Sequence, residues 1–213
     1  AGTLSSDVDE HDESDGSFYM AKVLGEHHVG ESMMADWKLI SHERSQNGEK
    51  SSYDRISLDN MDQDDDTLFR VVGGNANLSY AMNEHFLKTG LEYKHSTQRD
   101  EVQTVQNGVD TTLPSDNVTM DQDKYAAYFQ DEWSMGEKAV MTPGVRYETI
   151  DRDYGSVGSL DYWAPSLHFL YRLTSEDNLR ASVAKTVKLP RLDEISTSVN
   201  SSLEDNDINN PDI

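Results

Sequence analysis

Cysteine is absent from this chain of 213 residues, so neither a disulfide framework nor a thiolate metal site is available to it. That absence suits a protein that crosses an oxidising compartment without mispairing, although many cytosolic chains share it. Basic residues are scarce, with 18 Lys and Arg against 40 Asp and Glu, and none of them form a stripe. Neutralising a phosphate backbone takes clustered Lys and Arg, so a formal charge of -22 argues against nucleic acid as a partner. No stretch approaches the roughly 20 apolar residues of a membrane helix. The acidic start, Ala1 to Gly16, has no basic cluster followed by an apolar core, so it is not a signal peptide. Ser, His and Asp abound, yet none sits in a nucleophile elbow or a similar motif, and no catalytic residue is assigned.

What the chain does have is alternation. Between Lys124 and Leu189 four strand-length segments carry apolar residues at most of their odd positions, as in Tyr125, Phe129, Trp133, Val145, Tyr147, Trp163, Leu167, Leu179 and Val183. The even positions Lys124, Gln130, Glu132 and Ser134 are polar, which gives a sheet with one oily face and one wet one. The low mean hydropathy does not exclude a membrane protein, because a transmembrane β-strand needs only about 9 to 11 residues with every second one apolar.

Alternation and turn residues together predict about nine strands, at 17–24, 32–44, 50–58, 68–82, 85–97, 124–134, 139–151, 162–173 and 179–188. A short helix is expected only at 191–195, directly after Pro190. Short connections fall at Asn83-Glu84, Met135 to Lys138 and Thr174 to Asn178, and Gln46 to Glu49 offers a fourth through its Asn-Gly pair. Long ones fall at Asp59 to Thr67, Gln98 to Asp123, Arg152 to Asp161 and Pro190 to Ile213. The two kinds alternate along the chain. The fold class read from this is all-β, an antiparallel up-and-down meander with short turns on one rim and long loops on the other, as in an outer-membrane barrel. Trp133 and Tyr80 lie at the short-turn ends of their strands, with Trp163 and Tyr154 near the long loops, as interfacial rings would.

Four segments in fixed order carry a family resemblance: Tyr125-Ala-Ala-Tyr-Phe-Gln-Asp-Glu-Trp133, Thr142-Pro-Gly-Val-Arg-Tyr147, Ala164-Pro-Ser-Leu167 and Leu179-Arg-Ala-Ser-Val-Ala-Lys-Thr-Val-Lys-Leu-Pro190. With Phe86 to Tyr93 before them and Asn210-Pro-Asp212 after, the series resembles the barrel of TonB-dependent outer-membrane receptors of the siderophore type. The resemblance implies a 22-stranded transmembrane β-barrel closed by an N-terminal plug, located in the outer membrane of a Gram-negative bacterium. It also implies import of a ferric siderophore or similar metal chelate, energised by the TonB complex through the plug. Haem, cobalamin or saccharide import on the same fold, or a passive pore or adhesin, are the alternatives. Both ends read as cuts within a longer parent: residues 1–16 as an acidic loop or flexible end, and residues 17–213 as a partial barrel without plug or closing strands.

Inward positions hold the candidates for binding. Arg146, Glu148 and His168 are expected to line the lumen where substrate passes, and Arg172 and Arg180, beside a short turn, to contact the plug. Lys88, Glu92 and Lys94 share that face, and structural pairing among all these charges is the competing reading. No cofactor or metal site is assigned. His27 and His28 point to opposite faces of any strand, with His42 nearby, and the run Asp62, Asp64, Asp65, Asp66 lacks the Gly and terminal Glu of a calcium loop. That run reads instead as a solvated loop tip, bridged by divalent cations to lipopolysaccharide. The longest loop, Gln98 to Asp123, is polar and has no aromatic residue to stack on a catecholate.

Overall fold

A computed structural model describes residues 7–114, 117–153 and 158–187. Within them the chain forms one antiparallel sheet of β1 (Val8–Val29), β2 (Met33–Asp54), β3 (Asn60–Met82), β4 (His85–Gln106), β6 (Val118–Met135), β7 (Ala139–Arg152), β8 (Leu160–Arg172) and β9 (Asn178–Ala184). The two-residue β5 (Val109–Asp110) pairs back onto β4, and otherwise the spatial order is the order in sequence. Among the described residues the sheet does not close, and β1 and β9 are its edges.

The register converts alternation into continuous rows. Trp37, Ala76, Leu91, Ala127, Tyr147 and Trp163 lie side by side across β2, β3, β4, β6, β7 and β8. One residue further along each strand, Lys38, Asn75, Glu92, Ala126, Glu148 and Tyr162 make the neighbouring row on the opposite face. Phe129, Trp163, Leu167 and Val183 are exposed, whereas Ala126, Glu148 and Ile150 are buried. The odd positions after Lys124 therefore form the outer face and the even ones the inner face, as their pattern predicts.

Turns at 30–32, 83–84, 136–138 and 173–177 share one rim, and the connections 55–59, 107–117 and 153–159 share the other. The expected hairpin at Gln46 to Glu49 does not exist. Asn47 lies inside β2, between Asp15 of β1 and Asp66 of β3, so the strands expected at 32–44 and 50–58 are one. The tight turn lies instead at Gly30, whose φ of 68° suits a residue without a Cβ. Residues 8–16, expected as an acidic loop, are the first half of β1 and pair with 46–54. The run from Asp62 to Asp66 is likewise not a loop tip, since it pairs with β2 on one side and β4 on the other. The long loop expected at 98–123 contracts as β4 extends to Gln106 and β6 starts at Val118. Residues 1–6, the expected helix at 191–195, Tyr154 and the end of the last strand lie outside the described residues.

These extensions have a common cause. On the outer face the apolar rows end with Leu39, Gly74, Tyr93 and Tyr125, and the next ones run Ser41, Val72, His95, Asp123, Asp151 and then Glu43, Arg70, Thr97, Asp121. The strands continue past the apolar band into water. There the ladder persists and polar pairs replace apolar ones, with Arg70 Nε donating to Glu43 at 2.8 Å and Thr97 Oγ1 to Asp121 at 2.6 Å. Paired rings mark the band's borders: Tyr93 with Tyr125 at 5.0 Å and Tyr147 with Trp163 at 4.9 Å near the long-loop side, His85 stacked on Trp133 at 5.6 Å near the short turns. Beyond the band the inner face carries an apolar cluster of Ile40, Phe69, Val71, Val118 and Met120, all buried.

Tyr128 shows how the inner face is packed. Its ring covers Gly90, where an added Cβ would lie 2.5 Å from ring atom Cε1, and its hydroxyl donates to Asn77 Oδ1 at 3.1 Å. Asn77 in turn donates to Asp36 at 2.7 Å. Replacing Gly90 by Ala in the full-length protein is expected to displace that ring and cost about 1–3 kcal/mol, read as a lower unfolding midpoint in detergent. At the opposite rim, Asp54 Oδ1 accepts from Ile56 N–H at 2.8 Å and from Asp7 N–H at 3.3 Å. The Ile56 N–H, with help from Asp7 and Ser57, holds the Asp54 carboxyl below the usual aspartate range. A depressed acid stabilises the fold above its unfolded value and loses that contribution as pH falls through the folded one. The protection of the Ile56 and Ser57 amides, taken relative to the intrinsic exchange rate at each pH, is therefore expected to fall on acidification below the usual aspartate range, and Asp54→Asn to remove that pH step.

Candidate lumen-facing site

The inner face of β4, β6, β7 and β8 gathers the charges into one network. Arg146 donates from Nη2 to Glu92 Oε2 at 2.8 Å and from Nε to Glu148. Lys124 Nζ stands 3.4 Å from Glu148 and 3.8 Å from Glu92. The Tyr162 hydroxyl donates to the second Glu148 oxygen. All four charged side chains are mostly buried, between 8% and 19% exposed, and two cations meet two carboxylates. Charges removed from water persist when paired and hydrogen-bonded, and here the set is balanced. The arrangement is a brace across four strands, with no nucleophile in it.

Arg146 and Glu148 are thus brought together, being two residues apart on the same strand face. His168 is not with them. It lines a separate hollow of about 400 Å³ near the short-turn rim, together with Glu132, Thr142, Arg172 and Arg180. Arg172 donates to the Glu137 carbonyl at 3.1 Å, which ties it to the turn between β6 and β7. Lys94 shares a row with Lys124, and Lys88 lies 5.4 Å over the Phe86 ring.

The histidines separate in the same way. His28 bonds Glu26 at 2.7 Å, His27 points to the opposite face, and His42 lies between the rings of Phe18 and Phe69 at 6.0 and 5.9 Å. Among the described residues no group of three His, Asp or Glu side chains is placed to hold a metal ion. Tyr162, Tyr128, Asn77 and Asp36 were missed as members of the inner polar system, and Lys124 was placed on the wet face but not in the network. Alternation puts each on the inner face, but only the register across strands shows which ones meet.

A family model described as TonB dependent receptor-like, beta-barrel matches residues 11–213. The "Iron-regulated outer membrane virulence protein" of two Vibrio cholerae serotype O1 strains is 25% identical over 174 residues. Those matches take in 79% of this chain and 22% of the relatives, so the chain spans about a fifth of their length. Among solved structures, the ferric citrate transporter FecA is similar at 17% identity and a TM-score of 0.41, over 78% of this chain and 27% of that one. BauA, the ferric preacinetobactin receptor from Acinetobacter baumannii, is similar at 14% identity and a TM-score of 0.47, over 84% and 31%. The family match covers nearly the whole meander, including every lipid-facing row, and the chain belongs to the TonB-dependent receptor β-barrel family of the Gram-negative outer membrane.

Proposed function

We propose that the receptor containing this wall imports a ferric siderophore or a similar metal chelate, driven by the TonB complex through a plug. The observation that carries the reading is the match to the receptor-barrel family over residues 11–213, joined to a relative whose name records iron regulation. Binding and gating are the mechanism. The strand extensions beyond the apolar band supply a collar for capture, and the inner face supplies polar walls for passage. Arg172, Arg180 and His168, gathered near the short-turn rim, suit contact with the plug. Asp121, Asp123 and Asp151, outward and above the apolar band, suit divalent-bridged contact with lipopolysaccharide.

Within this reading the Arg146 network braces the wall while cargo passes, because its cations are already engaged by Glu92 and Glu148. A deletion strain under iron limitation is expected to lose growth on at least one of a panel of individually supplied siderophores. Equal growth with and without the gene on every chelate sinks the proposal. Arg146→Ala leaves two buried carboxylates with Lys124 as their one remaining cation in the network, and is expected to cost about 2–4 kcal/mol in denaturant unfolding of the detergent-solubilised receptor. Unchanged stability with weakened chelate binding would make Arg146 a ligand for cargo and not a brace.

A further inference from the structure

Asn-Gly occurs twice in this chain, and the fold holds the two pairs in opposite ways. Asn47-Gly48 lies within β2, with Asp15 and Ser14 of β1 on one side and Asp66 and Asp65 of β3 on the other. Asn107-Gly108 makes the two-residue turn between β4 and β5, with φ of 52° and 76°. Positive angles at both positions are what a tight hairpin takes from this dipeptide. A Cβ built on Gly108 would meet nothing within 4 Å, so the turn stands in open space. The Asn107 side chain nevertheless has work on the long-loop rim. Its Nδ2 donates to Asp59 Oδ1 at 2.9 Å, and its Oδ1 accepts from the Asn60 N–H at 3.0 Å. The Asn107 N–H donates to the Asn60 carbonyl at 3.0 Å, which carries the β3–β4 ladder one step past Met61 and Gln106. One residue thus clips the 55–59 connection to the end of β4. The bond from Asn107 also holds the Asp59 carboxyl below the usual aspartate range.

An asparagine side chain before glycine is chemically unstable, because no Cβ on the next residue shields its amide nitrogen. In water that nitrogen attacks the side-chain Cγ, the Cγ–Nδ2 bond breaks, and ammonia leaves with the amide proton. Water then opens the cyclic imide at either carbonyl, which leaves aspartate or isoaspartate. The attack needs the glycine nitrogen to fold back onto Cγ. Gly48 is paired on both sides and cannot do so, whereas the exposed turn at Gly108 is free to whenever the clip opens. We infer that Asn107 is a site of spontaneous deamidation, and that the change releases the 55–59 connection from the β4–β5 turn. Either product sets a carboxylate where Nδ2 donated, against the Asp59 carboxylate, so a donor–acceptor contact becomes a like-charge one. Isoaspartate also lengthens the backbone of a turn that has only two residues. Water does not return the ammonia, so the step runs one way and the rim loosens with the age of the molecule.

The test incubates the full-length protein in detergent at mildly alkaline pH and follows both asparagines by peptide mapping with mass spectrometry. Asn107 is expected to convert while Asn47 stays intact in the folded barrel, and both to convert at similar rates once the chain is unfolded in urea, where only the shared dipeptide matters. Asn47 converting in the folded protein as fast as Asn107 overturns the inference. So does an Asn107 that converts in urea and not in the barrel. Asp59→Ala removes the acceptor of the clip and is expected to speed conversion of Asn107 about threefold to tenfold, the loss of one hydrogen bond to a charged group; an unchanged rate overturns the clip. Asn107→Asp carries the product from the start. It is expected to lower protection of the Asn60 amide, taken relative to the intrinsic exchange rate, about threefold or more, and Asp59→Asn in the same chain to restore most of it. Protection within about twofold of wild type in Asn107→Asp, or no recovery in the double variant, overturns the release. Retained heat-modifiable mobility on gels shows that each variant keeps its barrel.

Discussion

In hydrocarbon no water is present to accept a backbone N–H, so every strand must be paired along its whole crossing. That constraint fixes the rest of this structure. Once the ladder is obligatory, each residue's choice reduces to which of two faces it occupies, and neighbouring residues must choose opposite ones. The exception makes the point. Pro143 has no N–H to give, and the pairing of β6 with β7 passes from Gln130–Gly144 to Trp133–Met141 without a bridge between. The two skipped pairs are tolerated because β8 pairs through them, with Pro143 opposite Leu167 and Thr142 opposite His168.

Legibility in the sequence follows the media on either side of the sheet. Between Lys124 and Leu189 one face meets lipid and the other the lumen, so side chains alternate and the strands, their order and their orientation can be read directly. Along 8–16, 46–54 and 60–67 both faces meet water. The ladder is equally continuous there, yet it leaves no side-chain trace, and Asn47-Gly48 mimics a turn within a strand. Hydropathy reports the medium and not the hydrogen bond. The same limit applies to the site: Arg146 and Glu148 are two apart on one strand and could be foreseen together, but Glu92 bonds Arg146 across 54 positions of sequence. Tyr162 and Lys124 join the pair only because four registers bring them there.

Register also explains why a chain of such negative charge carries an inner face rich in cations. Lys22, Lys94 and Lys124 fall on one row, and Arg146 lies two rows nearer the short turns. Most of the acid stands elsewhere, in the strand extensions and on the outer rows above the apolar band. Where Glu92 and Glu148 meet the cations, the charges cancel at short range and the wall is stiffened. Among the described residues Lys22, Lys38 and Arg44 of β1 and β2 make no such pair. A net charge summed over the chain hides this division, since screening over about 8–10 Å makes local pairing decisive.

The inner apolar cluster follows from the same two-media logic, applied beyond the membrane. Within the apolar band the outer face must be oily and the inner face wet. Past Tyr93 and Tyr125 the outer face turns to Glu43, Arg70, Thr97 and Asp121, and a sheet polar on both faces would bury nothing. Ile40, Phe69, Val71, Val118 and Met120 supply the missing burial from the inside. The faces exchange roles at the level of the outer aromatic pairs, with charge going outward and carbon inward.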